Sequence, residues 1–328
     1  MSSTPDGATR QQGGRSYTPA VAIEGVTKRF GRVTAVDELT LCIEPGEVFG
    51  LLGPNGAGKT TSLDMVMGLT GPSAGTVRVH GADPQRHSMT VRRLTGIVMQ
   101  QSALDAYLTG RENVQIYAEL YLGSNSAARR RVHEVLAWAG LSAAADRLVK
   151  TYSGGMKRRL DLAIGALHRP RLLLLDEPTL GLDIQTRRDV WTLIRDMATH
   201  GATVLLTTHY LEEADRLCDR VGIMNHGRLV ALDTPEHLRT AIVGDLHRLT
   251  VRMAEPCDAT ALELPATFEA TDQGMVLSGA PELLWRSLAR LQDAHGDNLL
   301  EVTYTAPTLD DVFLRLTTDN RPAVVGAS

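Results

Sequence analysis

Between residues 53 and 60 the chain reads Gly53-Pro54-Asn55-Gly56-Ala57-Gly58-Lys59-Thr60. A loop with three glycines can turn successive backbone N–H groups toward one point, and a helix starting at its end adds a positive dipole terminus. The chemistry this serves is the grip of a polyphosphate. Lys59 places a point charge on the β- and γ-phosphates, Thr60 offers its hydroxyl to Mg²⁺, and Thr61 is placed for the α-phosphate. Two adjacent carboxylates, Asp176 and Glu177, supply what a bound polyphosphate lacks. Asp176 suits the Mg²⁺ shell, and Glu177 suits a general base polarising an attacking water. His209 adds an imidazole able to donate a hydrogen bond to the γ-phosphate.

These residues need elements that bring them to one place. Val48 to Leu52 is an apolar strand running straight into the glycine loop, and Leu63, Val66 and Met67 have helical spacing after it. The run Leu172 to Leu175 suits a central strand buried on both faces, with Asp176 and Glu177 at its carboxyl end. Ala202 to Thr207 is a third strand, ending near His209. From Val21 to Leu232 short apolar runs alternate with helical stretches, the pattern of an α/β core with a mainly parallel sheet. Between about 101 and 152 the strands give way to two helical stretches, Arg111 to Tyr121 and Arg129 to Ala139, read as a helical insertion. Val221–Met224 and Arg228–Leu232 flank Asn225-His226-Gly227, a hairpin signal with antiparallel character.

The expected organisation is a flexible tail over 1–19, a nucleotide-binding domain over 20–242, a small α/β accessory domain over 243–318, and a second flexible tail over 319–328. In the accessory domain, strands are expected at Arg248–Met253 and Leu299–Thr305, and helices at Pro281–Gln292 and Pro307–Leu316. The loop alone leaves the nucleotide undecided, but an N-K-x-D guanine-reading element is absent.

The 328 residues carry 34 Lys and Arg against 38 Asp and Glu, a net charge of −4. That balance excludes a nucleic-acid clamp driven by bulk positive charge, and aromatics at 4% leave few stacking platforms for single strands. Cys42, Cys218 and Cys257 have no metal-ligand or disulfide-framework spacing. No apolar run approaches the ~20 residues needed to cross a bilayer.

The segment Tyr152-Ser153-Gly154-Gly155-Met156-Lys157-Arg158-Arg159-Leu160, placed before the carboxylate strand, resembles the signature motif of ABC transporter ATPases. Ser153 is a good N-cap, so the following helix can present backbone donors to an anion. Tyr152 stands where Leu is usual and Met156 where Gln is common. The resemblance covers about Val21 to Leu232 and implies a P-loop NTPase (RecA-like) core, ATP and Mg²⁺ as ligands, and hydrolysis of ATP. Further roles come residue by residue. Phe30 resembles the aromatic that stacks on adenine, and Gln100, or the adjacent Gln101, resembles the glutamine that senses Mg²⁺ and water. Asp183, in Leu180-Gly181-Leu182-Asp183, resembles the loop residue near the opposing phosphate loop, and His209 the switch histidine. In this family Ser153, Gly154 and Gly155 of one subunit cover ATP held by another, so one copy of each motif implies a homodimer.

A narrower resemblance rests on Leu108-Thr109-Gly110-Arg111-Glu112-Asn113-Val114 and on Thr308 to Thr317, both similar to the daunorubicin/doxorubicin-resistance type of bacterial ABC exporter. It implies efflux of a small molecule through a separate multi-span permease, with this chain peripheral on the cytoplasmic face of the membrane. A soluble ABC ATPase acting on DNA or ribosomes, and an importer ATPase, are the alternatives. Two basic clusters, Arg129-Arg130-Arg131 and Lys157-Arg158-Arg159, read as solvated helix faces, with contact to the membrane partner or anionic lipid as the alternative for the first, and the second close enough to the signature to bias the local field toward phosphate.

Overall fold

The computed structural model describes residues 10–12, 15–244, 246–255, 263–318 and 324–325. Two compact units result, residues 1–234 with 322–328, and residues 235–321. The division falls at Pro235 rather than at 243, because the helix that Pro235 opens and the turn after it pack with the last helix of the second unit.

In the first unit, β1 (Arg10–Gln12) and β2 (Arg15–Tyr17) form a short antiparallel pair inside the expected tail, whose residues 1–9 and 13–14 lie outside the described ones. Next come β3 (Val21–Phe30), β4 (Val33–Ile43), β5 (Val48–Leu52), α1 (Lys59–Val66) and β6 (Ala74–Val79). Then follow α2 (Ser88–Leu94), β7 (Thr95–Val98), α3 (Gly110–Leu122), α4 (Ser126–Trp138), α5 (Gly154–Gly165), β8 (Leu172–Asp176) and α6 (Ile184–Thr199). The unit's main run closes with β9 (Thr203–Thr208), α7 (Leu211–Leu217), β10 (Arg220–Asn225) and β11 (Arg228–Asp233).

β4, β3 and β6 make a three-stranded antiparallel sheet. The central sheet runs β11-β10-β5-β9-β8-β7, parallel throughout except for the β10–β11 hairpin. That hairpin turns through His226 at φ +47° and Gly227 at φ +80°, the left-handed pair that matches strand twist. Every residue of β5, β8 and β9 is buried, as uninterrupted apolar runs covered on both faces should be. Ile23, Leu39, Ile43 and Val79 of the antiparallel sheet share one core with Phe49, Leu51, Leu172 and Leu174 of the parallel one.

The helical insertion has its own core, in which Val114, Val132, Leu136 and Leu141 meet Leu160 and Leu167 from α5 and its end. A reciprocal capping box starts α3: the Thr109 hydroxyl accepts from the Glu112 N–H at 3.1 Å, and the Glu112 carboxylate accepts from the Thr109 N–H at 2.8 Å. Tyr152, the unusual residue before the signature, is buried and donates to the Ala144 carbonyl at 2.6 Å. Its ring fills space in this core while its hydroxyl keeps a partner.

The second unit contains α8 (Pro235–Leu238), β12 (His247–Met253), β13 (Thr267–Thr271), β14 (Gly274–Gly279), α9 (Pro281–His295), β15 (Leu299–Thr305) and α10 (Leu309–Thr318). Its strands form an antiparallel sheet ordered β13-β14-β12-β15, with Leu249, Val251, Leu277, Leu284 and Leu291 in its core. The β13–β14 hairpin was not anticipated. β13 reads Thr267-Phe268-Glu269-Ala270-Thr271, an alternation only five residues long, and none of its residues is fully buried. Leu309 and Val312 of α10 are buried, whereas Leu314 is exposed. Of the expected C-terminal tail, Val324 and Val325 form β16, pairing parallel to β11; residues 319–323 and 326–328 lie outside the described ones, as does Cys257.

Candidate nucleotide site

The register of the parallel strands sets the site. Leu52 pairs with Thr208, Asp176 with Thr207, and Val98 with Leu175, so four strands end together along one edge of the sheet. Open α/β sheets bind ligands at such an edge. The glycine loop leaves β5 there, and Gly58 adopts φ +101° with the Ala35 carbonyl oxygen 2.4 Å from where a Cβ would sit. Only glycine fits that approach.

α1 begins at Lys59, whose side chain is nearly buried and whose ammonium donates to the carbonyls of Gly53 at 2.7 Å and Pro54 at 3.1 Å. Burial pulls its pKa below the ordinary lysine value, opposed by the nearby carboxylates of Glu177 and Asp176. Asp176 is 2% exposed and accepts from the Thr207 hydroxyl. The Thr60 hydroxyl faces the same carboxylate at 3.4 and 3.5 Å.

Glu177 departs from ordinary backbone geometry, with φ at +45°. A non-glycine residue held in the left-handed region costs about 1–3 kcal/mol, and such residues concentrate at functional sites. Its N–H is shared between the carbonyl of Thr207 at 3.1 Å and that residue's hydroxyl at 3.2 Å. Its carboxylate lies 3.2 Å from His209 Nδ1.

A cavity of about 660 Å³ opens over this edge. Phe30, Asn55, Gly56, Ala57, Gly58, Lys59, Thr60, Thr61, Gln100, Glu177 and His209 line it, together with Ala35 and Leu180. Gly53, Pro54 and Asp176 do not line it but are tied to residues that do: the first two hold Lys59 through their carbonyls, and buried Asp176 faces Thr60. Phe30 is half exposed, with the Lys28 ammonium 4.9 Å from its ring centroid. Gln101 lines a separate cavity of about 90 Å³ with Asp161, so of the two adjacent glutamines Gln100 is the one beside the loop.

Four other expected site residues stand outside this cavity. Ser153 is exposed and caps α5, its hydroxyl accepting from the Met156 N–H at 3.2 Å. Gly154 is exposed, and Gly155 is packed so that a Cβ would lie 2.2 Å from Thr186 Cγ2. Asp183 caps α6, accepting from the Thr186 hydroxyl at 2.7 Å and its N–H at 2.9 Å. Those bonds hold its carboxyl below the usual carboxylate range.

Three polar residues that carry the site's architecture were not singled out from the sequence. Arg158, expected on a solvated basic face, is instead 7% exposed. Its Nε donates to the Pro178 carbonyl at 2.6 Å and its Nη1 to that of Met99 at 2.6 Å. Its Nη2 donates to the carbonyls of Asp176 at 3.0 Å and Glu177 at 3.1 Å. Helical phase held the signal, since Gly155, Arg158, Leu162 and Gly165 fall on one buried stripe of α5. Thr207 holds both Asp176 and Glu177. Glu213 on α7 is fully buried and accepts from the Thr179 hydroxyl at 2.9 Å and Trp191 Nε1 at 3.1 Å. Burial raises its pKa, while its hydrogen bonds oppose that shift. In the other basic cluster, Arg131 is also committed, donating to the carbonyls of Leu167 at 2.9 Å and Ala166 at 3.0 Å, while Arg129 and Arg130 are exposed.

Comparison with known proteins identifies the family. Residues 36–180 match the ABC transporter family. The daunorubicin resistance ATP-binding protein DrrA3 of Streptomyces coeruleorubidus is 41% identical over 307 residues, covering 92% of this chain and 97% of that protein. The Nod factor export ATP-binding protein I of Ralstonia nicotianae is 37% identical over 314 residues, covering 93% and 95%. Among solved structures, an ATP-binding cassette in a dimeric post-hydrolysis state with ADP and Pi superposes with a TM-score of 0.60 at 28% identity, covering 65% of this chain and 98% of that one. The nucleotide-binding core and its likeness along nearly the whole length of curated relatives place the chain in the ABC transporter family, as an ATP-binding, ATP-hydrolysing member.

Proposed function

We propose that the chain powers a bacterial exporter, binding Mg-ATP in the cavity described and coupling its hydrolysis to efflux of a small molecule through a separate multi-span membrane subunit. The observation that carries this reading is the convergence of Lys59, Thr60, Gln100, Asp176, Glu177 and His209 at one sheet edge. The loop amides and Lys59 hold the triphosphate, Thr61 takes the α-phosphate, and Phe30 stacks on adenine. Thr60 and Asp176, whose oxygens already face each other, would hold Mg²⁺ with Gln100, where the ion neutralises charge on the phosphates. The pairing of one hydroxyl with one carboxylate fits a cation that also takes phosphate oxygens. Among the described residues no cluster of three or more His, Cys, Asp or Glu offers a self-sufficient metal site.

Glu177 accepts a proton from the attacking water, an effect typically worth about 10²–10⁴ in rate. His209, held against its carboxylate, orients it and donates to the γ-phosphate. Ser153, Gly154, Gly155 and Asp183 complete the site of a second copy, so two chains close over two ATP molecules. Relatives named for drug resistance and for Nod factor export support export as the direction. No helix among the described residues is long and apolar enough to cross a membrane, which supports peripheral attachment to the cytoplasmic face through the permease. Co-expression with a neighbouring multi-span protein tests the coupling. Co-purification from detergent, and drug efflux lost with Glu177→Gln, is the expected result, whereas recovery only with ribosomes or DNA overturns it.

A further inference from the structure

We infer that Arg158 is a positioning residue that ties the aim of Glu177 to the placement of the signature helix, so that each chain's base responds to what its own Ser153 end engages. The inference rests on the assignment of Glu177 as base, and adds a link between the two nucleotide sites of a dimer.

Four observations carry it. Arg158 lies on the buried stripe of α5, one and a half turns from Ser153, which the same helix displays to solvent. All four of its hydrogen bonds go to backbone carbonyls, three of them on the consecutive residues Asp176, Glu177 and Pro178, and the fourth on Met99, next to Gln100. A helix-borne cation therefore holds the main chain of the carboxylate pair and of the strand end leading to Gln100. The Glu177 peptide is gripped on both sides, its N–H by Thr207 and its carbonyl by Arg158, at the residue whose φ is left-handed. A backbone in that region persists only where its surroundings over-determine it. Finally, Asp161 and Glu213 are the carboxylates nearest in effect to Arg158, yet neither is hydrogen-bonded to it: Asp161 accepts from Ser102, and Glu213 from Thr179 and Trp191. The guanidinium is thus spent on geometry rather than on an ion pair.

The consequence is mechanical. α5 cannot shift as a rigid rod without moving Arg158, and Arg158 cannot move without changing the carbonyls that set the Glu177 and Gln100 approaches. Nucleotide held at Ser153 in the opposite site therefore biases the base in this one.

The experiment uses the full chain and compares wild type with Arg158→Lys and Arg158→Gln, each confirmed as folded by its thermal transition. With a planar fork replaced by a point charge or an amide, kcat is expected to fall about 10- to 100-fold, the scale of a small misplacement of a catalytic group. KM and the affinity for ATP should change less than threefold, and the Hill coefficient for ATP should drop toward 1. Wild-type kcat and Hill coefficient in either folded variant overturn the inference. So does an equal loss of ATP affinity and kcat, the pattern of general structural damage. Should neither variant fold, hydrogen exchange on the intact chain decides. ATP added to Glu177→Gln should change protection of 99–101, 154–159 and 176–180 together, and uncoupled changes overturn the inference. Failure of the parent reading is distinct: Glu177→Gln in an otherwise wild-type chain would then keep its ATP turnover.

Discussion

The glycine loop and the signature segment both are turns opening onto helices, yet their surroundings differ. Around α1 the chain supplies every partner itself: a buried lysine on the loop's carbonyls, a threonine facing a buried aspartate, and a glutamate beside a histidine. At the start of α5, Ser153 and Gly154 are exposed, and neither lines the nucleotide cavity. Asp183 likewise turns its carboxylate to its own helix. Half of the machinery is internally complete, and half is displayed outward on rigid helix ends. On the dimer proposed above, the chemistry would lie in one chain and its timing in two.

The strongest break of that contrast is at the loop. Lys59→Ala should weaken Mg-ATP binding at least 100-fold in a nucleotide titration, whereas Glu177→Gln should keep affinity, lose about 10²–10⁴ in turnover, and accumulate a closed dimer by size-exclusion chromatography. Equal behaviour of the two variants would dissolve the division between gripping and chemistry.

A mixing experiment sharpens the contrast further. Gly154→Asp puts a like charge where the outward helix end would meet phosphate, so that variant should bind ATP and yet hydrolyse it poorly. Combined with Lys59→Ala, which keeps an intact signature, it should regain up to about a quarter of wild-type turnover through mixed dimers, each holding one complete site. No recovery on mixing would show that the two halves act within one chain.

Gly155→Ala probes the support behind the display. Its Cβ would sit 2.2 Å from Thr186 Cγ2, so α5 and α6 must part, and overpacking of this kind costs about 1–3 kcal/mol. A lowered thermal transition with nucleotide affinity retained is expected. An unchanged transition would mean that the signature helix floats freely on α6.

The smallest effect concerns pH. Asp161, buried on α5 and accepting from Ser102, has its pKa raised from 3.8 to about 6 chiefly by burial. Between about pH 4 and 6 the unfolded chain loses this proton while the folded chain keeps it, so the group's contribution favours folding below pH 4 and fades as pH rises toward 6. Wild type should therefore lose stability relative to Asp161→Asn across that interval, measured by urea unfolding. A constant difference between the two would place Asp161 in a solvated setting.

Much of the loop and carboxylate geometry was readable because it depends on local order. Gly58 and Lys59 act through the turn they themselves make, and Asp176 through the strand it ends. Helix starts were equally local, as Ser153 capping α5 illustrates. The β13–β14 hairpin escaped because the alternation of Thr267 to Thr271 is short and only Phe268 leans on the core. Arg158 escaped because a run of three basic residues looks solvated until the helix is set against a sheet edge whose carbonyls it can bond.

By itself, then, the sequence determined the local frame of the proposed nucleotide site, since residue type and spacing suffice to build a glycine turn, a helix start and a carboxylate at a strand end. Only the tertiary structure decided which of two neighbouring glutamines stands by the loop, that Glu177 is held at a left-handed φ, and that one arginine of a basic triplet is buried against four carbonyls. The reason is physical. Those outcomes are set by backbone groups of distant segments, whose direction depends on strand register and helix packing, and a carbonyl carries no letter in the sequence.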